Sequence, residues 1–169
     1  MGFINAPIVS AQSMKLGADV IIPNTTPVKI TGLDMALGIG IYTFKYFIIH
    51  QASAVTTGRG WSVNFSGTVT NFLTKETYID TGTTNLNNAQ IQAGGAGNTY
   101  IGGSGQNVKS ALANFGITTS VSVANTDMLT IIEGTFEVTV AGNLELYGAS
   151  EVVSNITVKK NSNLVVNTI

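Results

Sequence analysis

The sequence contains no cysteine and a single histidine, His50, among 169 residues. Without cysteine there are no disulfide staples, no zinc-thiolate sites and no thiol nucleophile, and the redox compartment is left open. One histidine excludes polyhistidine metal centres and gives histidine-dependent catalysis little to work with. Charge is scarce too. Charged residues make up 10% of the chain, against ~25% in an ordinary soluble domain. Eight basic and nine acidic residues leave a net charge of -1, so the basic footprint of a nucleic-acid binder is missing. Long apolar runs are missing as well. The most apolar stretch, residues 39–49, is interrupted by Gly40 and Lys45 and is too short to span a bilayer. Residues 1–7 lack the basic n-region of a secretory signal.

Hydrophobic residues make up 44% of the chain, which excludes disorder. A chain of this length buries about 68–70% of its unfolded surface. The punctuation is that of an all-β domain, with short apolar runs separated by Gly, Asn, Thr and Pro. Residues 20–22, 28–30, 41–53 and 61–65 read as successive strands. Within the last of these, Trp61, Val63 and Phe65 alternate with Ser62 and Asn64. Residues 66–116 are less regular. A Gly/Asn-rich insertion at about 80–105 reads as a long surface loop with short strands at 90–92 and 99–101. Residues 107–115 offer one or two helical turns, with Gly116 as C-cap. Alternation returns at 117–123, 129–132 and 135–140. Two hairpins are expected, one turning at 141–143 and one joining 156–158 to 164–166. The fold class predicted is all-β, a single-domain antiparallel β-sandwich of the jelly-roll kind. An extended N-terminal arm (1–18) precedes the sandwich (19–169) and reads as a strap laid over a neighbouring surface.

Residues 41–49 carry most of the functional expectation. One face presents Tyr42, Phe44, Tyr46 and Ile48; the other presents Ile41, Thr43, Lys45, Phe47 and Ile49. In a sandwich, one face of a sheet looks into the core. The second therefore needs cover from a loop or another subunit. Aromatic side chains bury ~150–250 Å² each at roughly 25 cal/mol per Å², so an aromatic face left wet forgoes several kcal/mol. These four residues are accordingly predicted to form a subunit interface.

The chemistry-bearing motifs fail on spacing. In residues 103–110, Val108 stands where the second glycine of a phosphate loop belongs, and no buried strand precedes it. The clusters at Gly58 and Gly95 lack the third glycine of a dinucleotide motif, replaced by Val63 and Tyr100. Glu133 and Glu137 share a strand face about 13 Å apart, too far for a carboxylate pair. Glu145 on the adjoining strand can approach Glu137, but a solvent-facing acidic patch is the simpler reading. The aspartates form no calcium loop, and His50 has no Ser or Asp partner at a motif spacing. No catalytic residue, metal or cofactor is expected.

Two blocks of short motifs are familiar. The first runs Ile30-Thr31-Gly32-Leu33-Asp34, Gly40-Ile41-Tyr42-Thr43-Phe44, then Ala54-Val55-Thr56-Thr57-Gly58 into Trp61-Ser62-Val63-Asn64. The second runs Ile132-Glu133-Gly134-Thr135-Phe136, Ala141-Gly142-Asn143-Leu144, Ala149-Ser150-Glu151, Ile156-Thr157-Val158 and residues 161–166. Their order resembles a module of tailed-phage virion proteins. The resemblance implies a jelly roll similar to the tumour-necrosis-factor fold, trimeric and without enzymatic activity. It points to a capsid decoration (cement) protein on the virion surface, with itself and the major capsid protein as partners and neither nucleic acid nor membrane. In that role Phe3, Ile4, Pro7 and Ile8 contact the capsid, and a displayed loop carries Asn98 and Tyr100. The alternative is a receptor- or glycan-binding tail fibre tip, with Tyr100 and Trp61 stacking on sugar.

Overall fold

The structure, a computed structural model, describes residues 11–79, 100–101, 113–117, 124–153 and 155–169. Twelve strands run in the order β1 (Ala11–Lys15), β2 (Val20–Ile22), β3 (Val28–Leu37), β4 (Gly40–Ala52), β5 (Arg59–Phe65), β6 (Thr68–Ile79), β7 (Tyr100–Ile101), β8 (Ala113–Ile117), β9 (Met128–Val140), β10 (Gly142–Ser150), β11 (Ile156–Val158) and β12 (Asn163–Thr168). No helix occurs among the described residues. One sheet has eight strands, in the order β1-β12-β4-β9-β6-β7, with β11 pairing β4 and β2 pairing β11; the other has four, β3-β10-β5-β8. The protein is an antiparallel β-sandwich.

Strand parity builds the core. In β4 the even residues Tyr42, Phe44, Tyr46, Ile48, His50 and Ala52 are buried, while Thr43, Lys45, Phe47 and Ile49 are half-buried. From the four-stranded sheet, Trp61, Val63, Phe65, Leu144 and Leu146 point back at them and complete one hydrophobic core. Phe136 of β9 is a hub, with ring centroids at 5.9 Å from Tyr42, 5.6 Å from Phe44, 5.7 Å from Phe65 and 5.8 Å from Phe72. Such pairs add to what area burial alone supplies.

Several elements differ from the sequence reading. The expected one or two helical turns give way, over 113–117, to the strand β8, paired with β5; residues 107–112 lie outside the described part. The supposedly irregular 66–79 holds the twelve-residue β6, whose Thr-rich sequence hides its alternation. The strand at 28–30 does not stop at Gly32. It passes through a bulge there, where Gly32 takes φ +95°, and runs on to Leu37. Residues 129–132 and 135–140 are one strand, β9, continuous through Gly134. A Cβ at Gly134 would lie 2.3 Å from the Leu73 carbonyl oxygen and 2.9 Å from Phe44, so this glycine marks a close approach of β6.

Neither expected hairpin forms. β9 belongs to the eight-stranded sheet and β10 to the four-stranded one, so residue 141 is a crossing between layers. The chain crosses back between β5 and β6 beside it, and Ser66 and Asn143 tie the two crossings together by N–H donation to a carbonyl at 3.0 Å and to a hydroxyl at 2.8 Å. β11 and β12 both pair with β4, end to end, rather than with each other. The predicted arm 1–18 is also structured in part, since β1 pairs along its whole length with β12.

Candidate functional site

The residues predicted to seal a subunit interface are inside the molecule. Tyr42, Phe44, Tyr46 and Ile48 are 8%, 2%, 0% and 0% exposed, packed between the two sheets of one chain. This corrects the expectation at its premise: the cover demanded by the aromatic face is the chain's own second sheet, contributed by strands distant in sequence. The face turned outward is the other one, with Ile41, Thr43, Lys45, Phe47 and Ile49. Trp61 is likewise buried at 2% exposure, which removes it as a sugar-stacking platform. Phe3, Ile4, Pro7, Ile8 and Asn98 lie outside the described residues. Tyr100 stands in β7, opposite Tyr78 of β6.

The structure gathers an unforeseen polar cluster at one end of the interior. His50 of β4 is fully buried. Its Nε2 accepts a hydrogen bond from Nε–H of the buried Arg59 at 3.1 Å and lies 3.0 Å from Thr130 Oγ1. An Nε2 that accepts leaves the ring proton on Nδ1. That Nδ1, Trp61 Nε1 and the Tyr46 hydroxyl are buried without hydrogen-bond partners among the described residues. The His50 and Trp61 rings stand 5.5 Å apart. Burial, aided by the Arg59 charge, holds His50 well below its usual range, and burial pushes the Tyr46 hydroxyl well above its own. Glu76 of β6 faces the same interior; burial pushes it up to about 7, against the opposing pull of Arg59.

Sequence reasoning missed Arg59, Glu76 and Thr130. Arg59 carried a signal, because it shares parity with Trp61, Val63 and Phe65 and so had to face inward with them. Glu76 and Thr130 carried none, since their strands were not recognised as continuous.

The outer faces are held by ion pairs. On the eight-stranded sheet Lys45, Glu133 and Lys75 stand directly opposite one another on β4, β9 and β6. Glu133 bridges the two ammonium groups at 2.6 and 2.7 Å, which hold its carboxyl below the usual range. An open depression of about 540 Å³ surrounds this row, bordered by Thr43, Leu73, Thr135 and Asn167. On the four-stranded sheet Lys29 bonds Asp34 at 3.1 Å and Glu145 at 2.9 Å, and Asn64 and the Tyr147 hydroxyl donate to Glu145. Burial pushes the Glu145 carboxyl up, but these donors overcome it and hold it low. Glu145 therefore sits in the opposite sheet from Glu137, which instead accepts from Thr70 and Asn71; the two do not form a patch. Among the described residues no group of three or more His, Cys, Asp or Glu is placed to hold a metal.

No protein family matches the chain, and no curated protein matches it. Among solved structures, the chain is similar to one from infectious bursal disease virus Gt strain, at 10% identity and a TM-score of 0.27, covering 99% of this chain and 40% of that one. A second, from the Gx strain, has 10% identity and a TM-score of 0.24, with 99% and 42% covered. The chain thus spans about two fifths of the length of those chains. Likeness at this level carries no functional argument.

Proposed function

We propose that the protein is a non-enzymatic structural component of a virion, a capsid decoration protein that binds and stabilises the shell. The observation that carries this reading is where the scarce reactive groups are used. The lone histidine is sealed in the interior against Arg59 and Thr130, and Glu133 and Glu145 are committed to lysines that hold neighbouring strands together. What the sandwich presents outward is contact surface, the half-apolar sheet face that carries Ile41, Phe47, Ile49 and Leu73. The sandwich is also the fold class that the tailed-phage resemblance implies. In this reading the residues before β1, with Phe3, Ile4, Pro7 and Ile8, grip the shell. The homotrimer implied by the resemblance has lost the aromatic ribbon as its seam, so copies must meet through other surfaces.

Co-sedimentation with genome-free shells of the virus tests the proposal. The full chain is expected to pellet with shells and to raise their melting temperature, and deletion of residues 1–9 is expected to abolish both. Absence of binding by the full chain overturns the decoration role. Retained binding after the deletion overturns the role of those residues.

A further inference from the structure

The outward face of the eight-stranded sheet is patterned in rows across its strands. Lys45 stands opposite Glu133, and Glu133 opposite Lys75; the next two rows set Phe47 opposite Ile131 and Ile49 opposite Leu129. These four apolar side chains form one half-buried block between two polar rows. On one side runs the Lys45–Glu133–Lys75 bridge. On the other, Gln51 donates to Asp127 at 2.8 Å. The described residues build two sheets and no third layer, so none of them stacks on this block. An apolar centre inside a polar rim is the anatomy of an interface. The block also lies on the midline of the six-strand path β1-β12-β4-β9-β6-β7, between β4 and β9. Six strands about 4.8 Å apart, followed over residues 43–51, cover about 800 Å², the share that one partner gives to a stable interface.

We infer that this face packs against the same face of a second copy, with a two-fold axis parallel to the strands and midway between β4 and β9. The pattern of charge selects the axis. An axis along β4 sets Lys45 over Lys45 of the other copy, and one along β9 sets Glu133 over Glu133. An axis across the strands, through the apolar block, sets Glu133 over Asp127. Each of these brings like charges together, which opposes association. The axis between β4 and β9 exchanges the two strands instead. Lys45 then faces Glu133 of the other copy, and Glu133 faces Lys45. Phe47 faces Ile131, Ile49 faces Leu129, and Gln51 faces Asp127, so apolar meets apolar and donor meets acceptor. Sheets stacked about 10 Å apart with nearly aligned strands are the geometry of a sandwich interior, repeated here between copies. Such a contact is isologous and closes after two copies. It stands independently of the virion reading.

The reciprocal charges supply the test, read by sedimentation equilibrium. The unaltered chain is expected to show a monomer–dimer equilibrium with the dimer prevailing at about 100 μM. Ile131→Glu places a charge in the apolar centre and is expected to leave monomers that unfold as cooperatively as the parent. Lys45→Glu alone sets acid against acid across the axis, and Glu133→Lys alone sets base against base. Each is expected to weaken the dimer about tenfold. An equimolar mixture of these two variants restores both opposite-sign pairs, in the heterodimer only, and is expected to associate as tightly as the parent. A role confined to the single chain predicts no rescue by mixing. A monomer at about 100 μM, a trimer, an Ile131→Glu variant that still dimerises, or a mixture no tighter than its components each overturns the inference.

Discussion

The interior has two unlike halves built on the same strands. Around Phe136, five aromatic rings meet with no polar atom to satisfy except the Tyr42 hydroxyl, which donates to the Gly38 carbonyl at 3.2 Å. At the other end, β4 supplies His50 instead, and Arg59, Thr130 and Glu76 replace apolar neighbours. The aromatic half gains from area and ring contacts. The polar half carries desolvation costs that its hydrogen bonds only partly offset, since two ring N–H groups have no partner among the described residues. Stability thus comes mainly from the first half, and sensitivity to conditions from the second.

The sharpest way to break this contrast is Phe136→Ala, which removes the hub of the aromatic half. A loss of about 3–5 kcal/mol is expected, read from the denaturant midpoint; a loss below about 1 kcal/mol would show the aromatic half to be redundant. Glu76→Gln comes next and tests the polar half through pH. His50, held low in the folded state, contributes stability that is present above 6.5 and drains as pH falls below that value. Glu76, raised from 4.5 to about 7, contributes stability present below 4.5 that drains as pH climbs to 7. Between those limits the unfolded chain carries the proton on His50 and the folded chain carries it on Glu76, so the two slopes cancel.

Removing the carboxyl uncovers the histidine. The Glu76→Gln variant is expected to lose stability from pH 6.5 downward by about 1.4 kcal/mol per unit relative to the parent, and to gain up to about 3 kcal/mol at pH 7.5. Parallel pH profiles for parent and variant would sink this account of the cluster. The smallest effect belongs outside both halves. Lys75→Ala opens one side of the bridge over Glu133, where all three groups are partly wet. A loss of about 0–1 kcal/mol that vanishes in high salt is expected, and a larger, salt-insensitive loss would place that row among the structural supports.

Alternation was legible wherever one strand carried it cleanly. Trp61, Val63 and Phe65 announced β5, and residues 41–53 announced β4 almost to the residue. Parity told which side chains share a face, but not which face is inward, because the covering sheet comes from β3, β5, β8 and β10, scattered along the chain. That is why Tyr42, Phe44 and Tyr46 read as unsheltered. The hairpins failed for a related reason: Val140 and Leu144 are neighbours in sequence, but a one-residue connection that changes layers looks the same as a tight turn. The polar cluster was illegible because His50, Arg59, Glu76 and Thr130 come from four strands and meet only once both sheets are stacked.

The pairing of β1 with β12 joins segments separated by nearly the whole described chain. While a ribosome is making this protein, β1 emerges well ahead of β12, its strand partner among the described residues. Completion of the larger sheet therefore waits until residues 163–168 have been made.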